Sequence, residues 1–211
     1  MPSARPSKQD VLGAFRRSAL LESARRVFGR AGFENATMEA IAKDADVAKG
    51  TVYLYYPSKR AIYDAAIEGC MAELEGLTRA RVEAAGSLRE AIATLVATRL
   101  EFFQRQQDFF RMYIAEIGRS LTQTRGARSR YVTRLDRQTQ ILQRAIARAV
   151  GRGEVRAVDP AATAQAVFDM TRGFVARHLL EQGRQDPARD VEFLTNLIWT
   201  GLGPARGKQT R

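Results

Sequence analysis

One cysteine, one histidine and one tryptophan in 211 residues are a sparse supply of reactive side chains. A lone thiol, Cys70, cannot close a disulfide within the chain, and it reads as a small buried hydrophobe in a reducing compartment. With His178 as the sole imidazole, neither a histidine-rich nor a thiolate metal site can be built inside one subunit, so no metal and no cofactor is expected. Glycine-rich phosphate loops, nucleophile–base triads and carboxylate pairs at useful helical spacing are missing too, and no enzyme is expected. Long apolar runs are also lacking. No window approaches 18 uninterrupted apolar residues, and the opening MPSARPSKQD lacks the apolar stretch of a signal peptide, which points to the cytoplasm and away from the membrane. Negative charge is in short supply as well: 23 Asp and Glu face 34 Lys and Arg, and the net charge of +11 favours an anionic partner such as nucleic acid.

What is present is enough for a core, with 45% hydrophobic residues, and its period is helical almost throughout. The spacing predicts an all-α chain. A disordered basic arm is expected over 1–9 and a disordered tail over 203–211, both rich in small, polar and basic residues. Leu20, Ala24, Val27, Phe28 and Ala31 recur on one face of a first helix, and Gly32 supplies a helix-ending residue. Thr37 caps a short second helix at MEAIAKDA, with Glu39 near its positive end. Asp44, Ala45 and Asp46 break it, Asp being tolerant of left-handed backbone. A third helix follows at VAKGTVYLYY and stops at Pro57, and Ser58 caps a fourth through KRAIYDAAIEGCMAEL. Further helices are expected over 88–106, 108–120, 126–151, 160–182 and 190–201.

The crowd of tyrosines in TVYLYYPSKR is resolved by helix geometry. Ala48, Val52 and Tyr56 share one face, expected to pack with Ile41, Ala42, Ala45 and Val47, whereas Lys49 and Tyr53 share another beside Gly50 and Leu54. Two short helices locked at a steep angle, with Lys49, Gly50, Thr51, Tyr53, Leu54 and Tyr55 presented outward, make a helix-turn-helix. Such a face suits a duplex: Lys49 and Lys59 neutralise phosphates, the hydroxyls bond phosphate oxygens, and Leu54 or Thr51 meets thymine methyls. An ordinary helical pair with solvated lysines is the competing reading of the same period.

The run ARRVFGRAGFENATMEAIAKDADVAKGTVYLYYPSKRAIYDAAIE resembles the first four helices of the tetracycline-repressor (TetR) family of bacterial transcription regulators. The likeness covers roughly residues 16 to 68, about a third of the chain. It implies that Thr37, Tyr55 and Lys59 contact DNA phosphates, and that Ala48, Lys49, Gly50, Thr51, Tyr53 and Leu54 enter or line the major groove. The chain departs from the family at Asp46, where Gly is frequent in the turn, and at Leu54, where His or an aromatic is common. Arg5, Lys8, Arg16 and Arg17 in the basic arm either add minor-groove or phosphate contacts or only solubilise it.

Past residue 70 the resemblance rests on helix count, length and order, and it implies a domain for ligand binding and dimerisation. Val167, Val175, Leu179, Phe193, Leu194, Leu197 and Ile198 are the expected dimer residues; closing a monomeric core would use the same faces. Phe102, Phe103, Phe109, Phe110, Met112, Tyr113 and Glu116 are candidate linings of a small-molecule pocket, with Phe168, Met170, Thr171, Phe174 and His178 as a second group. Plain core packing is the alternative for each. Ten arginines between Arg119 and Arg156 form a solvated face, an anionic-effector vestibule or a second DNA contact.

The domain reading is an arm over 1–9, a three-helix DNA-binding domain over 10–57, a helical effector-binding and dimerisation domain over 58–202, and a tail over 203–211. The function expected is a homodimeric regulator, a repressor that binds a palindromic double-stranded operator and is released by a small-molecule effector. The rival is a non-catalytic helical ligand-binding or scaffold protein using its helix-turn-helix for protein contact.

Overall fold

The computed structural model describes residues 7–122, 130–180 and 186–203, with backbone alone for 9, 120–122, 130–136, 179 and 180. Nine helices account for almost all of them, and no strand occurs among the described residues: α1 (Lys8–Asn35), α2 (Met38–Asp44), α3 (Lys49–Tyr55), α4 (Lys59–Glu83), α5 (Leu88–Arg105), α6 (Gln107–Thr122), α7 (Arg130–Gly151), α8 (Pro160–Leu180) and α9 (Pro187–Leu202). Packing divides them into two compact units. The first holds α1, α2, α3, α4 through Cys70, and α6; the second holds α4 from Met71, α5, α7, α8 and α9. This grouping cuts across a boundary at residues 57 and 58, because α6 packs on α1.

In the first unit α1 starts inside the expected arm. The Ser7 hydroxyl accepts from the Asp10 amide at 3.2 Å while the Asp10 carboxylate accepts from the Ser7 amide at 3.0 Å, a reciprocal cap that needs no tertiary support. The Ser7 hydroxyl also donates to the Asp10 carboxylate at 2.7 Å, and this bond, with the one from the Ser7 amide, holds the Asp10 carboxyl below its ordinary range. Residues 1–6 of the arm, Arg5 included, and the tail from 204 lie outside the described residues. The helix breaks where expected, since Gly32 sits at φ +73°, a left-handed conformation costly to any residue with a Cβ. Leu20, Ala24 and Phe28 are buried as the spacing predicts, but Ala31, at the end of the helix, is exposed.

A second glycine sets a distance. A Cβ on Gly29 would lie 2.5 Å from Asp108 Cβ, so α6 approaches α1 as closely as it does only because Gly29 has no side chain. Around this contact Phe28 and Phe33 each meet the Tyr63 ring edge-on at 4.9 Å.

In the second unit α5 is central, packing against α7, α8 and α9. Ser87 caps it through the Glu90 amide, and ten of its eighteen residues are buried, among them Phe102, Phe103 and Arg99. Asp186 caps α9 and Pro187 occupies its first turn, where the missing N–H costs nothing. The Asp190 carboxylate accepts from Arg177 at 3.1 Å and lies 2.6 Å from His178 Nε2, which ties α9 to α8 and gives the chain's one imidazole a structural partner.

Candidate nucleic-acid interface

The interface is built on a turn of unusual backbone. Thr37 Oγ1 accepts from the Ala40 amide at 3.0 Å and starts α2, and Ile41 and Ala42 bury its inner face. The chain then reverses through Asp46 at φ +52°, the left-handed geometry that Asp tolerates better than most residues with a side chain. Arg26 Nη2 on α1 meets the Asp44 carboxylate at 2.7 Å and pins the end of α2.

Seven residues of α3 then split sharply. Val52 is 0% exposed, whereas Tyr53 is 46% and Leu54 80% exposed, with Lys49 and Gly50 exposed beside them and Thr51 and Tyr55 half-buried. The face assignment needs correcting: Thr51 and Tyr55, expected outward, are half-buried, and two residues expected inward are not. Ala48 does not pack with Val52: it is the cap residue of α3, in extended conformation and exposed, and Val47 is exposed as well. Being outside the helix, Ala48 is not governed by the four-residue period that placed it inward.

The cations differ from one another. Lys49 Nζ makes one exposed pair with Glu39 at 3.4 Å, a contact of small energetic weight. Lys59 is engaged more fully: its ammonium donates to the carbonyls of Glu34 and Ala36, each at 3.0 Å, and lies 4.7 Å over the Phe33 ring. Arg17, from the expected arm, lies on α1 with its guanidinium 5.7 Å over the Tyr55 ring. Burial pushes the Tyr56 hydroxyl up, against the opposing pull of Arg17.

The expected pocket residues fall in both units. Phe109, Phe110, Met112, Tyr113 and Glu116 are buried in the first, and Phe102, Phe103, Phe168 and Thr171 in the second. Glu116 belongs to a charged cluster that the sequence did not suggest: Arg119 Nη2 is 2.9 Å from its carboxylate, Arg60 is 3.8 Å away, and Tyr63 Oη lies 3.4 Å from it and accepts from Arg119 at 2.8 Å. Burial pushes the Tyr63 hydroxyl up to about 12, against the lowering influence of Arg119. Met170, Phe174 and His178 are half-buried, and Phe174 takes the Arg177 guanidinium at 4.5 Å.

The expected dimer residues also divide. Val167, Val175, Leu194 and Ile198 are buried within the subunit and belong to its core, because the inward half of each apolar stripe is spent closing the second unit. Phe193 and Leu197 stay 55% and 51% exposed on α9. Leu197 also lines a shallow groove of about 400 Å³ with Met170, Ala166 and Val158. Leu179 has no described side chain, and of the arginines between 119 and 156, Arg125 and Arg128 lie outside the described residues. Among the described residues no cluster of His, Cys, Asp or Glu is placed to hold a metal, and no helix is long and apolar enough to cross a membrane.

Against known proteins, residues 20–66 match the family of bacterial regulatory proteins called tetR, and residues 84–193 match the tetracyclin repressor-like C-terminal domain. The chain is 24% identical over 186 residues to YhgD, an HTH-type transcriptional regulator of Bacillus subtilis (strain 168), covering 87% of this chain and 92% of that one. Its fold is similar to that of the fatty acid degradation regulator FadR of Bacillus halodurans, with TM-score 0.76 and 18% identity over 99% of this chain and 100% of the other. It is also similar to FadR of Bacillus subtilis, solved in complex with stearoyl-CoA, with TM-score 0.73 and 17% identity over 87% and 98% of the two chains. With an outward helix-turn-helix face and family matches along both parts, the chain belongs to the tetracycline repressor-like (TetR) family and is a DNA-binding transcriptional regulator.

Proposed function

We propose that the chain acts in the cytoplasm as a homodimeric repressor whose paired α3 helices read a palindromic operator, and that a small molecule held by the helices beyond α4 releases it without being turned over. The observation that supports this most directly is the division of α3, with Val52 fully buried and Lys49, Gly50, Tyr53 and Leu54 exposed. A helix of seven residues that buries one side chain and leaves a cation, a glycine and an aromatic hydroxyl outside is shaped for contact with phosphates and base edges. Phosphate contacts fall to Thr37, Lys49 and Tyr55, and base-edge contacts to Thr51, Tyr53 and Leu54. Lys59 reaches the duplex only by leaving the carbonyls of Glu34 and Ala36. Phe193 and Leu197 on α9 are the residues we assign to the twofold contact, with Val167, Val175, Leu194 and Ile198 supporting them from inside.

Release needs an effector that binds the non-operator conformation more tightly, by about 5.5 kcal/mol for a near-complete switch. The test is duplex binding by fluorescence anisotropy across a salt series, using a fragment selected from genomic DNA. Affinity should fall steeply with salt, and Lys49→Ala should reduce the log–log slope by about one. Salt-insensitive binding, unchanged in Lys49→Ala and Tyr53→Ala, would overturn the reading.

A further inference from the structure

Among the described residues of the second unit, one fully buried charge is left unexplained by its packing. Arg99 on α5 is 0% exposed, and a guanidinium keeps its proton however deeply it is buried. Its Nη1 donates to Gln138 Oε1 on α7 at 2.9 Å, and its Cζ lies 4.6 Å from the Phe168 ring centroid and 5.4 Å from that of Phe103. Ring faces offset part of the lost hydration but bring no negative charge. The remaining two nitrogens, Nε and Nη2, have no hydrogen-bond acceptor among the described residues. Nε–H and one Nη2–H point the same way along one edge of the planar fork, the spacing at which two carboxylate oxygens accept side by side. Gln138 is itself fixed, since its Nε2 lies 3.4 Å from the Met71 carbonyl and its oxygen is thereby turned to Arg99.

We propose that Arg99 is the anchor of the effector site and that the effector is a monocarboxylate with an apolar body, its carboxylate paired to the Nε and Nη2 edge. This rests on the ligand-responsive reading above and specifies its ligand. One buried cation balances one negative charge; a dianionic phosphate would leave a surplus in an apolar core, and a neutral compound would leave the guanidinium unbalanced. The rings of Phe103 and Phe168 supply the apolar flank.

The experiment uses the full chain without DNA and three probes, octanoate, decanoate and phenylacetate, each against its primary amide and against inorganic phosphate, by calorimetry and thermal unfolding. At least one acid should bind, with its amide roughly 10- to 100-fold weaker and phosphate silent. Arg99→Met should abolish the preference of acid over amide. Gln138→Glu places a carboxylate where the amide oxygen now lies, 2.9 Å from Nη1, and should raise the unfolding midpoint while abolishing the acid response. If Arg99→Met fails to fold, the acid–amide comparison on the unaltered chain and Gln138→Glu decide the matter alone. Acids that bind no better than their amides, phosphate that binds as well as the acids, or no binding by any acid would each overturn the anchor. Duplex binding that persists without an acid response removes the anchor and leaves the regulator. Acid binding through Arg99 with no duplex bound at any salt does the reverse.

Discussion

α3 and α5 use burial in opposite ways. Only Val52 of the seven residues in α3 is buried, whereas α5 buries ten of eighteen, a guanidinium among them. In α3 the polar and aromatic groups stay outside and packing asks for one methyl-rich contact, so outward residues can change identity with little effect on folding. In α5 the polar chemistry sits inside the packing, so any ligand response of the kind proposed would share its side chains with stability. An exposed helix face and a core helix therefore respond differently to substitution, and on the proposed function the first is the DNA-reading surface and the second the ligand-sensing one.

Four substitutions and one pH series sharpen or break this contrast. The largest effect belongs to α5: Phe103→Ala removes a fully buried ring under Arg99 and should cost about 3 to 5 kcal/mol in chemical denaturation. In α3, Val52→Ala should cost about 1 to 3 kcal/mol by the same measurement, because Val52 is the one fully buried side chain of the helix. Thr37→Ala loses the cap of α2 and should cost about 1 kcal/mol, with Thr37→Ser restoring most of it.

The Tyr63 hydroxyl contributes only in a pH window. Its folded value near 12 stands above the ordinary 10.0, so its contribution is complete below pH 10 and disappears as pH rises through 12. Denaturation of Tyr63→Phe and the unaltered chain at a series of pH values from 9 to 12 should show the difference between them shrinking over that window. Smallest on stability is Tyr53→Ala, expected within about 0.5 kcal/mol of the unaltered chain while specific duplex binding drops. If Tyr53→Ala unfolds the protein, or Phe103→Ala leaves it untouched, the contrast between the two helices is wrong.

How much of this was legible in the sequence follows from the same contrast. Helix order and most boundaries were readable because Gly32, Thr37, Asp46, Pro57 and Ser58 act through local backbone chemistry. On α3 the period placed Lys49, Gly50, Tyr53 and Leu54 outward as found, but not Thr51 and Tyr55, which are half-buried, because a seven-residue helix lying close to α2 covers its flanks as well as its inner face. Ala48 was misassigned because a cap residue does not obey the helical period. The dimer residues were chosen from whole apolar stripes, and a stripe does not reveal which half faces the subunit's own core. Arg99, Gly29 and the Glu116 cluster were invisible for a different reason. An arginine in a helix reads as surface, a glycine as a weak helix former, and each acquires its role only from a neighbour distant in sequence, Gln138, Asp108 and Tyr63 respectively.

The ammonium of Lys59 deserves a mechanical reading. By grasping the carbonyls of Glu34 and Ala36 it rivets the first turn of α4 to the strip of chain that leads into Thr37. Moving that turn would mean either breaking both hydrogen bonds or carrying the segment ahead of Thr37 along with it.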